Sequence, residues 1–123
     1  EITSAIGRFA AGPRGVLILP SDLTLLSHRG MIVAEVARLK LPVIYSDPTF
    51  VRDGGLMSYS ADRDEMFKQA AGYVDRILKG ERASELPIQQ PTRYELVVNR
   101  RAAKALGLEL PPSILIRAEE VIE

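Results

Sequence analysis

Residues Gly15-Val-Leu-Ile-Leu-Pro20 and Leu41-Pro-Val-Ile-Tyr45 are two short runs in which apolar residues follow one another without polar alternation. A strand with no polar face has to be covered on both sides, which is the condition of a strand in a parallel sheet layered with helices. Pro42 fits the first strand position, where a missing amide donor matters least. Between the runs, Leu25, Leu26, Ile32, Val33, Val36 and Leu39 recur at helical spacing and predict one helix over residues 24–39. Ser21 or Asp22 can cap its start, because a short oxygen-bearing side chain accepts amide hydrogens that a first turn leaves unpaired.

The alternation continues down the chain. Residues 46–55, with Pro48 and the pair Gly54-Gly55, read as a loop, and residues 56–59 as a third strand. Asp62 followed by Glu65 resembles a capping box, and Met66, Phe67, Ala70, Ala71, Val74, Ile77 and Leu78 then form one apolar stripe. Lys79-Gly80 closes that helix, predicted over 62–79. A polar connector with Pro87 leads to a fourth strand at 94–98, whose Pro, Thr and Arg flank suits a sheet edge. Asn99 caps a short helix through Leu106, Gly107 ends it, and Pro111-Pro112-Ser113 starts a last turn or helix. Val121 and Ile122 either add a final strand pair or fray. The opening, residues 1–9, reads as a helix entered midway, so a piece of a longer protein is expected.

Strands alternating with helices predict an α/β fold with a mainly parallel sheet. Such sheets place ligand sites at the carboxyl ends of strands, here residues 21–24, 45–50 and 58–60. Composition removes several classes of function. Lys plus Arg equals Asp plus Glu at 16 each, without the basic excess that nucleic-acid binding needs. Cysteine is absent and His28 is the only histidine, so thiol chemistry and multi-histidine metal centres are excluded. Hydrophobic residues at 46% and charged residues at 26% suit a folded domain with a core rather than a disordered chain.

Leu41-Pro-Val-Ile-Tyr-Ser-Asp47, followed by Phe50-Val51 and Gly54-Gly-Leu-Met-Ser-Tyr59, forms an ordered set with three later stretches. These are Ala71-Gly-Tyr-Val-Asp-Arg-Ile-Leu-Lys-Gly80, then Leu86-Pro-Ile-Gln-Gln-Pro-Thr-Arg-Tyr-Glu-Leu-Val-Val-Asn99, then Ala103-Lys-Ala-Leu-Gly107 with Pro111-Pro-Ser113. Over residues 15–123 the set resembles the C-terminal part of the ABC-transporter substrate-binding protein family with the type I periplasmic-binding fold. The resemblance implies two Rossmann-like lobes, each a three-layer sandwich, around a cleft. It assigns residues 1–47 and 92–123 to the C-terminal lobe, 56–80 to the N-terminal lobe, and 48–55 and 81–91 to hinge linkers.

The resemblance also implies a function. The chain would belong to a periplasmic or otherwise extracytoplasmic solute-binding component of an ABC importer, in some cases anchored as a lipoprotein. It would capture a small polar organic solute, amino-acid-like and in some relatives aromatic, by non-covalent binding and hinge closure. Its partner would be the ABC permease. No catalysis, cofactor, metal or nucleic acid is implied. Without the rest of the N-terminal lobe, the apolar stripe of helix 62–79 either folds onto the chain's own sheet or pairs with a second copy as a homodimer.

Each candidate ligand-binding residue carries a structural reading beside the functional one. Asp22 is an anchor for a ligand ammonium or an N-cap. Ser21 and Thr24 suit a ligand carboxylate, and family members use the loop after this strand for ligand contacts. Tyr45, Ser46 and Asp47 end the second strand, where a ring beside a carboxylate suits an apolar body with an amine. Tyr45 is equally a core-edge residue. Ser58 or Tyr59 faces the cleft and the other the core. Phe50 packs under the loop, Gly54-Gly55 is a turn needing positive φ, and His28 is a solvated surface residue. Asp62, Asp64 and Glu65 are helix-start acids rather than a metal cluster. Two rival classes remain open. One is a signalling domain, either a sensor of similar lobed fold or a regulatory domain of receiver type, which would use Asp47 but lacks the preceding acidic pair; the other is a small α/β enzyme, which lacks a paired nucleophile and base.

Overall fold

The computed structural model describes residues 1–123, and the chain divides into two compact units: Glu1–Ser60 with Leu96–Glu123, and Ala61–Glu95. The first unit opens with α1 (Ile2–Ala10), β1 (Leu17–Leu19), α2 (Leu23–Ser27), α3 (Arg29–Arg38), β2 (Val43–Tyr45) and α4 (Pro48–Arg52). β3 (Met57–Ala61) leads into the second unit, which holds α5 (Arg63–Leu78), and β4 (Tyr94–Asn99) leads back. α6 (Arg100–Ala105), α7 (Pro112–Arg117) and β5 (Glu120–Ile122) complete the first unit.

The five strands form one sheet in chain order, β1-β2-β3-β4-β5. β1 pairs with β2, β2 with β3, and β4 with β5, all parallel. The mixed α/β fold with a mostly parallel sheet is therefore as expected. Leu19, Tyr45 and Ser58 are successive cross-strand partners and so share one face. That face is packed by Ile6 of α1, by Ile32, Val33 and Val36 of α3, and by Phe50 and Val51 of α4. Burying these apolar groups is the main favourable term in the unit's stability.

Several local expectations are corrected. The single helix over 24–39 is two, α2 and α3, parted at His28, whose φ of −102° and ψ of 13° leave the helical region. Residues 46–55 are not all loop, because Asp47 accepts the Thr49 amide and Pro48 supplies a pre-set φ at the first position of α4. β4 is not an edge strand, since β5 flanks it. β1 is not covered on both faces: Leu19 is buried, but Ile18 on the opposite face is 68% exposed.

Asn99 holds three parts of the first unit together. Its backbone amide donates to the Leu56 carbonyl at 2.9 Å, its Oδ1 accepts from the Ala102 amide at 3.0 Å, and its Nδ2 donates to the Val51 carbonyl at 3.3 Å. One buried side chain thus caps α6 and satisfies the C-terminal part of α4. Arg52 of α4 also forms an ion pair with Glu120 of β5 at 2.7 Å, but both are partly exposed and the pair contributes little.

In the second unit, the Asp62 side chain accepts from the Glu65 amide at 3.2 Å, and its backbone amide donates to the Arg93 carbonyl at 3.0 Å. Gly80, at φ 102°, follows the end of α5, where Arg76 pairs with Glu81. The Tyr73 hydroxyl donates to the Pro87 carbonyl, tying the helix to the extended segment behind it. No residue of α5 is buried: Phe67 is 73% exposed and Leu78 81%. The apolar stripe stays open rather than folded away.

Asn99→Ala should destabilise the first unit by about 1–3 kcal/mol, the sum of a lost helix cap and a lost buried hydrogen bond to the Val51 carbonyl. Urea unfolding followed by circular dichroism measures it, and Asn99→Asp should recover part of the loss by keeping the cap.

Candidate functional site

Parallel pairing of β1 with β2 puts both carboxyl ends on one side of the sheet. Ser46 fastens them together: its backbone amide and its Oγ both donate to the Leu19 carbonyl, at 3.1 and 3.0 Å. Each strand then ends in an aspartate that starts a short helix. Asp22 Oδ1 accepts from the Thr24 and Leu25 amides at 2.8 and 3.0 Å. Asp47 Oδ1 accepts from the Thr49 amide at 2.9 Å.

The two aspartates differ in surroundings. Asp22 is exposed, with Ser21 and Thr24 exposed beside it. The bonds from the Leu25 and Thr24 amides hold its carboxyl below the ordinary 3.8, so it stays charged at neutral pH. Asp47 is only 4% exposed, and Ser46 before it is half-buried. The tips therefore offer an exposed carboxylate with hydroxyls from Ser21, Thr24 and Ser46. That set suits a small ligand bearing an ammonium and hydrogen-bonding groups.

Tyr45 lies beneath this surface. It is 1% exposed, and its ring stacks on Phe50 with centroids 4.8 Å apart and planes 13° apart. Burial raises its hydroxyl to about 12. That hydroxyl and the Ser58 Oγ are both buried without a hydrogen-bond partner. Ser58 is fully buried, while Tyr59 alternates to the opposite sheet face and is 57% exposed. Of the candidate residues, Ser21, Asp22, Thr24 and Tyr59 thus reach the surface, Ser46 partly, and Tyr45, Asp47 and Ser58 do not.

The other singled-out residues have local roles. His28 Nδ1 lies 2.8 Å from the Thr24 carbonyl, beside Ser27 Oγ at 3.1 Å, within the turn between α2 and α3. Gly54 has the expected positive φ, 113°. Gly55 does not; a Cβ there would lie 2.5 Å from Tyr45 Cε2, so the second glycine answers to packing. Nothing in the local sequence signals that requirement, because the tyrosine is ten positions earlier. Phe50 is buried in the core, but as a residue of α4 rather than under a loop. No group of three or more His, Cys, Asp or Glu is arranged to hold a metal, and no helix is long and apolar enough to cross a membrane. An open groove of about 830 Å³, lined by Arg101, Lys104, Leu108 and Leu115 among others, lies at α6 and α7 and includes none of the tip residues.

The family described as ABC transporter substrate binding protein matches residues 1–122. The chain belongs to that family. A tyrosine-binding protein of Clostridioides difficile (strain R20291) is 24% identical over 109 residues, covering 89% of this chain and 31% of the relative. A conserved domain protein of Vibrio cholerae O1 biovar El Tor has a solved structure with TM-score 0.86 and 28% identity, matched over 98% of this chain and 40% of its own. The ABC domain from Streptococcus pneumoniae, solved in complex with L-Trp, matches with TM-score 0.86 and 26% identity over 99% of this chain and 42% of its own. The chain therefore spans about a third of the curated relative and about two-fifths of each solved one.

Because the folded state lowers Asp22, its cap should be fully present above pH 3.8 and be lost as pH falls through the lowered value. A carbon-detected NMR titration should place the Asp22 midpoint below 3.8, and Asp22→Asn should remove that pH dependence while retaining an acceptor.

Proposed function

We propose that this chain forms part of the extracytoplasmic solute-binding component of an ABC importer, binding a small polar organic solute of amino-acid type, aromatic amino acids first. The observation that carries this reading is the pair of adjacent strand tips clasped by Ser46, with the exposed, charged carboxylate of Asp22 following the first of them. Membership of the substrate-binding family supports a binding role rather than a catalytic one. The tyrosine-binding relative and the neighbour crystallised with L-Trp support the solute class. Asp22 takes the ammonium, and Ser21, Thr24 and Ser46 take the carboxylate or other polar groups of the solute. Tyr59 supplies an exposed ring.

Hinge closure belongs to the same reading. Residues 48–55 and 81–91 are its hinge linkers, and the division of the chain into two compact units supports a hinged protein. The permease of the importer is the protein partner. The open stripe of α5 is a docking face, and expressed alone the chain pairs through it with a second copy.

Calorimetry on the product of the complete gene should show micromolar binding of L-tryptophan, L-tyrosine or L-phenylalanine. Asp22→Ala should weaken it at least tenfold, in line with a lost charge-assisted contact. Absence of binding to any amino acid would overturn the reading.

Light scattering of the 123-residue chain alone should give a dimer that Phe67→Lys converts to monomer. A monomeric unmodified chain would overturn the pairing.

A further inference from the structure

We propose that Tyr45, Phe50 and Gly55 form a clamp that positions the Ser46 and Asp47 tip, so that solute affinity depends on three residues that are themselves buried. This inference rests on the solute-binding reading and extends it inward from the surface. Tyr45 ends β2, one residue before Ser46, and Phe50 lies in α4 three residues after the Asp47 cap. Their stacked rings join the end of the strand to the helix that follows. Gly55 closes the third side. Its amide donates to the Phe50 carbonyl at 2.8 Å, and its missing Cβ leaves room for the edge of the Tyr45 ring. A Cβ at that position would lie 2.5 Å from Tyr45 Cε2 and 2.8 Å from the Phe50 carbonyl oxygen, both inside contact distance.

The ring is thus held on one face by Phe50 and on its edge by glycine backbone. Between these fixed points the chain has only Ser46 to Thr49 with which to turn from strand to helix. The Leu19 clasp of Ser46 and the Asp47 cap are made within that turn. The Tyr45 hydroxyl takes no part, being buried without a partner, so the ring alone does the positioning.

Two amides report on the tip without any solute: Ser46, which donates to Leu19, and Thr49, which donates to Asp47. Hydrogen exchange on the complete gene product, read beside calorimetry with L-tryptophan, tests the clamp. In Phe50→Leu and Tyr45→Leu, both amides should exchange at least tenfold faster, while the Ile32 amide of α3 changes less than twofold. Affinity should fall at least tenfold. Tyr45→Phe, which keeps the stack, should change neither readout by more than twofold. Gly55→Ala should act like Phe50→Leu, and if it fails to fold the two leucine variants carry the test. Leucine variants that fold with both amides as protected as before would overturn the clamp. So would a Tyr45→Phe variant as loose as Tyr45→Leu, or loosened amides with unchanged affinity. An unmodified protein that binds no amino acid would instead overturn the solute-binding reading, and the amide rates would then decide the clamp alone.

Discussion

The parallel pairing of β1 with β2 governs what the first unit can do. It brings two chain segments more than twenty residues apart to one edge of the sheet, in a register that sets Leu19 beside Tyr45. Ser46 then doubles the link with two bonds to one carbonyl. Slip β1 by one residue against β2 and Leu19 would leave the core face that Tyr45 keeps. The apolar contacts of α1, α3 and α4 enforce the register, and the polar tips inherit their arrangement from it. The site is thus a by-product of packing: the same residues that bury the core decide which side chains stand at the surface.

Features set by near neighbours were legible in the amino-acid sequence. Asp22, Asp62 and Asn99 cap the helices they precede, and Gly80 and Gly107 adopt positive φ after helix ends, because such motifs need only a few consecutive residues. The α/β alternation was legible for the same reason. Long-range features were not. Pro48 marks a loop by its neighbours alone, although the same fixed φ serves a helix start once Asp47 caps it. The break at His28 is invisible in a stripe that continues on both sides of it. The interior place of β4 depends on β5, which three residues near the chain end barely announce.

At the strand tips the split is similar. The segments follow from strand ends alone, and parallel pairing joins β1 to β2 and β2 to β3, so the strands of all three run side by side in one direction. Which side chains face outward depended on depth in the sheet. Asp47 and Asp22 look alike in sequence, each an aspartate after an apolar run, yet one is buried at the start of α4 and the other is exposed. Gly55 shows the limit most sharply, since its reason is a ring brought to it by folding.

The strand that departs from the first unit, β3, and the strand that comes back, β4, are immediate neighbours in the sheet. Residues 61–95 are therefore an excursion in chain order, inserted between two strands that neighbour each other. A short connector across that gap would preserve chain order and every strand neighbour of the first unit. The sheet is in this sense modular in its chain order: a segment enters and leaves it between adjacent strands.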